Sequence, residues 1–202
     1  MSTPLNTPFN MIILGMTGCG KTYFLLEMLE QQYKNEFEYI YLVCLTFVRN
    51  KTYKEWRHAN DKGFFVVPCD QDDVECQLRR ITQFAESTNT LIILDDCASS
   101  QAVKNRTSEL VKLRFSARHY GLSTIVITQQ LTSIAKPYRE NISKLVTFYN
   151  PRGKDMNTIF DDYLSTINNT ERQKIINKLK NNDYARLEEL LRRPYTHEVV
   201  IP

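Results

Sequence analysis

Gly15-Met16-Thr17-Gly18-Cys19-Gly20-Lys21-Thr22 fits the pattern G-x-x-x-x-G-K-[ST] at every specified position. Glycines let successive backbone N–H groups turn toward one point, and a helix starting there adds the positive end of its dipole. The lysine reaches the β- and γ-phosphates of a triphosphate, and the threonine hydroxyl joins a Mg²⁺ shell. Context separates such a cradle from a glycine turn with an incidental lysine. Met11-Ile12-Ile13-Leu14 reads as a buried strand entering the loop, and Tyr23 to Gln32, free of Gly and Pro, as the helix leaving it. The predicted nucleotide site comprises Gly15, Met16, Thr17, Gly18, Cys19, Gly20, Lys21, Thr22 and Tyr23.

Outward from this loop, apolar strands and helical stretches alternate. Tyr39 to Leu45, Phe64 to Val67, Leu91 to Leu94, Thr124 to Thr128 and Leu145 to Tyr149 read as strands. Asp72 to Ser87 reads as a helix, since Val74, Leu78, Ile81, Phe84 and Ala85 share one face. Ser108 to Tyr120 reads as a basic helix stopped by Gly121, and Asp155 to Tyr163 and Asn169 to Leu179 as two short helices. In the tail, Ala185 to Leu191 fits helix or strand, while His197 to Ile201 prefers strand. Continuous apolar strands spaced by helices predict an α/β fold, a mostly parallel sheet with helices on both faces. The 202 residues suffice for a single P-loop domain, with its core over about 11–150 and C-terminal helices and a terminal strand over 151–202.

Composition narrows the class without naming a partner. A net charge of +3 neither demands nor excludes nucleic acid. The five cysteines are scattered with no C-x-x-C pair, which argues against a zinc knuckle or disulfide framework and for reduced thiols. Met1 to Asn10 has neither the basic start nor the apolar core of a secretion signal. No apolar run approaches the roughly 20 residues of a membrane-spanning helix.

Phosphoryl transfer needs the phosphates held, their charge neutralised and the attacking group aimed. A second Mg²⁺ contact, beside Thr22, is expected from an acid ending a buried strand, and Asp95 follows four apolar residues directly. Asp96, adjacent, is placed to polarise a water, which suits hydrolysis better than transfer to a small acceptor. The next buried strand ends in Thr128-Gln129 and points to the same sheet edge, where an amide bridges water and γ-phosphate. Gln130 is the alternative sensor, but side chains alternate along a strand, so only one of the two should face the site.

GMTGCGKT, LIILDD and TIVITQ, in that order, resemble the FtsK–HerA branch of P-loop ATPases. The short chain and Arg118-His119-Tyr120-Gly121 before the glutamine strand resemble, within it, the DNA-packaging ATPases of poxviruses, other large DNA viruses, virophages and Polinton-like elements. The likeness runs from about Met11 to Asn150. Many members of the wider branch carry glutamate where this chain has Asp96. The resemblance implies an additional-strand, RecA-like core and a homo-oligomeric ring of five or six subunits. Such a ring hydrolyses ATP with Mg²⁺ and drives double-stranded DNA into a capsid through a portal-vertex protein. The site would be the host cytoplasm at viral assembly sites, and the virion. Lys21, Thr22, Asp95, Asp96 and Gln129 carry over as catalytic and metal residues. Arg118, with Arg114 one turn earlier as the alternative, carries over as an arginine acting on the neighbour's site. The same basic stretch also reads as ordinary solvated surface.

For DNA, Arg49 to Lys62, with Trp56, and Ala98 to Thr107, with Lys104 and Arg106, are the candidate loops, each equally readable as plain surface. Two further readings stay open: a P-loop kinase for a nucleoside or other small molecule, and a helicase or conjugation-type DNA transporter. A GTP switch lacks its N-K-x-D motif.

Overall fold

In a computed structural model, the protein is described over residues 5–33, 35–56, 61–85, 88–113, 121–151, 153–192 and 195–202. Eight strands form one sheet: β1 Asn10–Leu14, β2 Tyr39–Cys44, β3 Phe64–Val67, β4 Thr90–Asp95, β5 Leu122–Thr128, β6 Lys144–Phe148, β7 Arg186–Leu190 and β8 Thr196–Val200. Their order across the sheet is β3-β2-β4-β5-β1-β6-β7-β8. The first six run parallel, and β7 and β8 are added antiparallel. β5 lies between the strand entering the glycine loop and the strand carrying the acids, which is the additional-strand arrangement.

Strand alternation sends neighbouring side chains to opposite faces, and helices cover both. Met11, Ile13, Leu91, Ile93, Ile125 and Ile127 pack with Phe24, Leu25, Met28 and Leu29 of α1 (Lys21–Gln32) and with Tyr53 of α2 (Lys51–Glu55). On the other face, Ile12, Leu14, Ile92, Leu94 and Val126 meet α3 (Val74–Phe84), α4 (Gln101–Lys104) and a helical segment, α5, over residues 109–113. α6 (Lys136–Arg139), α7 (Gly153–Asp162) and α8 (Asn169–Asn181) complete that layer through Tyr138, Ile159, Phe160 and Leu179. Buried on both sides, the central strands are apolar over most of their length, and that is why they are legible as strands.

The ambiguous segment 185–191 is a strand, β7, and the last expected strand forms as β8. The helix expected from Asp72 to Ser87 begins at Val74 and ends at Phe84. The basic helix is described only to residue 113; Arg114 to Tyr120 lie outside the described residues. Among the described residues no helix is long and apolar enough to cross a membrane.

Candidate functional site

Because β4, β5 and β1 are adjacent and parallel, their C-terminal ends open onto one edge. A cavity of about 440 Å³ there is bordered by Thr17, Gly18, Gly20, Lys21, Thr22, Tyr23, Asp95, Asp96 and Gln129, together with Asn50 and Thr52. Residues up to 112 positions apart in the chain thus share one space, Thr17 and Gln129 being its extremes. Gly15, Met16 and Cys19 support the loop from behind. The Gly15 N–H donates to the Thr128 carbonyl (3.1 Å), tying the loop entry to the end of β5. A Cβ on Gly15 would stand 2.5 Å from Cys19 Sγ and 2.9 Å from Phe148, so only glycine fits this turn. Gly20, at φ +96°, adopts the left-handed conformation that opens α1. The Lys21 ammonium donates to the Met16 carbonyl (2.7 Å), folded over its own loop.

Asp95 is 4% exposed, and its Oδ2 accepts the Tyr53 hydroxyl at 2.7 Å. Burial pushes its pKa up to about 6; the Tyr53 bond lowers it, the Asp96 charge raises it and Lys21 lowers it. Thr22 lies beside the same phenol. Asp96 is exposed, sits at φ +57°, a conformation Asp tolerates better than most, and accepts the Thr46 hydroxyl at 2.6 Å. The donors fit Mg²⁺. Thr22 and Asp95 present hard oxygens beside the phosphate loop, as an ion held jointly by one or two carboxylates and substrate phosphates requires. The buried carboxylate, raised by desolvation, is stabilised by any added positive charge.

Gln129 borders the cavity, while the Gln130 amide turns away and donates to Thr132 Oγ1 (3.1 Å). The Gln129 carbonyl accepts from Asn150 Nδ2 (3.3 Å), and the same amide donates to buried Asp155 (3.3 Å), which also accepts from the Thr132 N–H (3.4 Å). This clamp, like Thr46 and Tyr53, was not read from the sequence. The signal available was positional: residues following β2 must overlie the end of β4 once the two strands pair, as Cys44 and Asp95 do.

The candidate DNA loop Arg49 to Lys62 reaches the cavity through Asn50 and Thr52. Trp56 is half-buried, donates its indole N–H to Glu30 (2.9 Å) and meets Phe64 edge-on at 5.1 Å. Residues 57–60 lie outside the described residues. The other loop folds into a 3₁₀ turn, Cys97–Ser99, and α4, with Lys104 and Arg106 exposed. Arg118 and Arg114 lie outside the described residues.

A sequence model described as Poxvirus A32 protein matches residues 2–188. Among solved structures, the genome packaging NTPase B204 from Sulfolobus turreted icosahedral virus 2 superposes with a TM-score of 0.73 at 17% identity, covering 98% of each chain. The N-terminal domain of zonular occludens toxin from Neisseria meningitidis matches at a TM-score of 0.55 and 11% identity, covering 98% of this chain and 96% of that one. The pCW3 conjugation coupling protein TcpA matches at 0.62 and 11%, covering 95% of this chain and 59% of that one. At these identities the likeness shows the P-loop fold. No curated protein sequence matches the chain.

Proposed function

The chain belongs to the Poxvirus A32 protein family, and on that premise we propose that it is a genome-packaging ATPase, a ring-forming motor that moves double-stranded DNA into a viral capsid. The observation that carries this reading is the convergence of Lys21, Thr22, Asp95, Asp96 and Gln129 on one cavity at the ends of three neighbouring parallel strands. Lys21 exchanges the Met16 carbonyl for the β- and γ-phosphates. Thr22 and Asp95 hold Mg²⁺, whose chemistry is to neutralise phosphate charge. Asp96, kept in place by Thr46, takes a proton from the attacking water, and Gln129, fixed through its backbone by Asn150, aligns that water on the γ-phosphate. Five or six copies close the ring, Arg118 completes the neighbour's site, and Lys104 and Arg106 grip DNA phosphates without reading bases.

Support beyond the cavity comes from B204, described as a genome packaging NTPase in complex with AMPPCP and with ATP-γS. The test is steady-state ATP hydrolysis by the purified ring with and without double-stranded DNA. The wild type is expected to hydrolyse ATP without any small acceptor, and faster with DNA. Lys21→Ala is expected to lower the rate on the order of 10³-fold in both conditions. Turnover that requires a small hydroxyl acceptor would return the chain to the kinase class.

A further inference from the structure

Beyond the phosphate cavity, and sharing Gly20 and Tyr23 with it as walls, lies a second cavity of about 360 Å³ closed by Phe24, Phe148, Tyr184 and Arg186. We propose that this second cavity seats the nucleobase, that Tyr184 is the face on which the base stacks, and that the seat scarcely distinguishes one purine from another. The inference rests on the phosphate-loop reading above and adds the part of the ligand that reading leaves unplaced.

Three observations converge. The first is direction. Asp95, Asp96 and Gln129 end β4 and β5, on one side of β1, so the γ-phosphate points there. A triphosphate lying along the loop then sends its nucleoside to the opposite side, over β6 and β7. Phe148 ends β6, Tyr184 and Arg186 stand at the start of β7, and the second cavity lies among them.

The second is the state of Tyr184. Its ring lies on the phosphate loop, with Cδ1 3.0 Å from where a Cβ on Gly20 would be. Its φ of +60° belongs to the third position of the turn that the Ala185 N–H closes on the Asn182 carbonyl (3.2 Å), so the turn between α8 and β7 aims the ring. The residue is 59% exposed, which leaves a face of the ring open to a flat ligand.

The third is the lining. Phe24 and Phe148 meet edge-on at 6.2 Å, and the Arg186 guanidinium stands 4.5 Å over the Phe24 ring, fixed by its bond to Glu188 (2.8 Å). The floor is therefore already built. Its volume is within the usual range for small-molecule seats. Glu27 is the one acidic side chain among the described residues of the lining. An acceptor of that kind takes an exocyclic amine from adenine or guanine alike, so the grip comes from ring faces and not from base edges.

The experiment measures equilibrium binding of ATP, GTP and inorganic tripolyphosphate to the full chain and to Tyr184→Ala and Tyr184→Phe. Tyr184→Ala is expected to weaken ATP and GTP by about tenfold each, the scale of one lost stacking contact, and to leave tripolyphosphate unchanged. Tyr184→Phe, which keeps the ring, is expected to bind all three like the wild type. An unchanged ATP affinity in Tyr184→Ala overturns the proposal. Equal losses for ATP and tripolyphosphate also overturn it, because Tyr184 would then act on the loop and not on the base. A wild-type preference for ATP over GTP of about 100-fold or more removes the claim of weak purine discrimination, since edge reading would be needed to produce it. Lys21→Ala run alongside separates the two levels: if it binds tripolyphosphate normally the phosphate-loop reading fails, whereas a null result at Tyr184 strikes only the base seat.

Discussion

The two flanks of β1 obey different rules. On one side, β5, β4 and β2 are parallel and largely apolar on both faces, and β4 and β5 lead into Asp95, Asp96 and Gln129, which border the phosphate cavity. On the other, β6 is still parallel to β1 but β7 and β8 pair antiparallel, and this flank carries charge into the sheet itself. Lys144 and Glu188, 4% and 3% exposed, form a 2.6 Å ion pair there, and Glu189 beside them is buried with its Oε2 unpartnered. The parallel flank keeps its carboxylates and its glutamine at the strand ends, where they are available to a ligand, and its interior polar side chains, Ser123 and Thr124, are neutral and hydrogen-bonded. The antiparallel flank places charged groups inside, where they cost stability unless paired. Variants on the first flank should therefore change turnover and leave the fold alone, and variants on the second should do the reverse.

The largest effect expected is at Asp96. Asp96→Asn keeps the shape and tolerates the same positive φ, so thermal unfolding should match the wild type. Loss of the proton acceptor should lower hydrolysis by about 10²–10⁴-fold while ATP binding survives. A variant that unfolds earlier and hydrolyses normally would invert the comparison. Lys144→Met is the counterpart on the other flank. It leaves Glu188 buried with Arg186 in place of two cationic partners, and should cost about 3 kcal/mol in denaturant unfolding, with turnover per folded molecule at saturating ATP unchanged.

Glu189 gives the same flank a pH signature. Burial pushes its carboxyl up to about 8, against an ordinary value of 4.5. Below about pH 4.5 the group is protonated folded and unfolded, and costs nothing. As pH rises toward 8 the unfolded chain releases the proton first, so stability falls across that window and levels off above it. Glu189→Gln should thus equal the wild type near pH 4.5 and exceed it by several kcal/mol at pH 8.5. Equal unfolding free energies at pH 8.5 would show that the carboxylate has found compensation.

The flanks also differ in how far they can be read without coordinates. Met11–Leu14, Leu91–Leu94 and Ile125–Ile127 are apolar runs because helices cover both their faces, and each leads into residues predicted for the site. Arg186–Leu190 is two leucines around two glutamates, good helix formers, and only pairing with β6 settles it as a strand. The supporting contacts were illegible for a related reason. Thr46 and Asp96 are 50 positions apart, and Tyr53 and Asp95 are 42 apart. Nothing in the composition of Arg49 to Lys62 marks which of its residues turn inward.

Tyr53 is where the smallest effect should appear and where the comparison is sharpest. It is buried, it sits in α2, and its hydroxyl reaches the Asp95 carboxylate without itself bordering the cavity. Tyr53→Phe keeps the ring packed against Phe47 and removes only that donor. Stability should fall by about 1 kcal/mol, since one hydrogen bond to a buried charge is lost and its partner is left less satisfied. The more informative readout is the acid limb of the pH–rate profile. Tyr53 holds the Asp95 pKa down, so its loss should move that pKa above about 6. Asp95 must be ionised to hold Mg²⁺, so half-maximal activity should shift to higher pH, with a matching rise in the Mg²⁺ needed at pH 6.5. A purely structural tyrosine would lower stability and leave that limb where it was, placing Tyr53 with the packing residues and not with the groups that tune the metal's carboxylate.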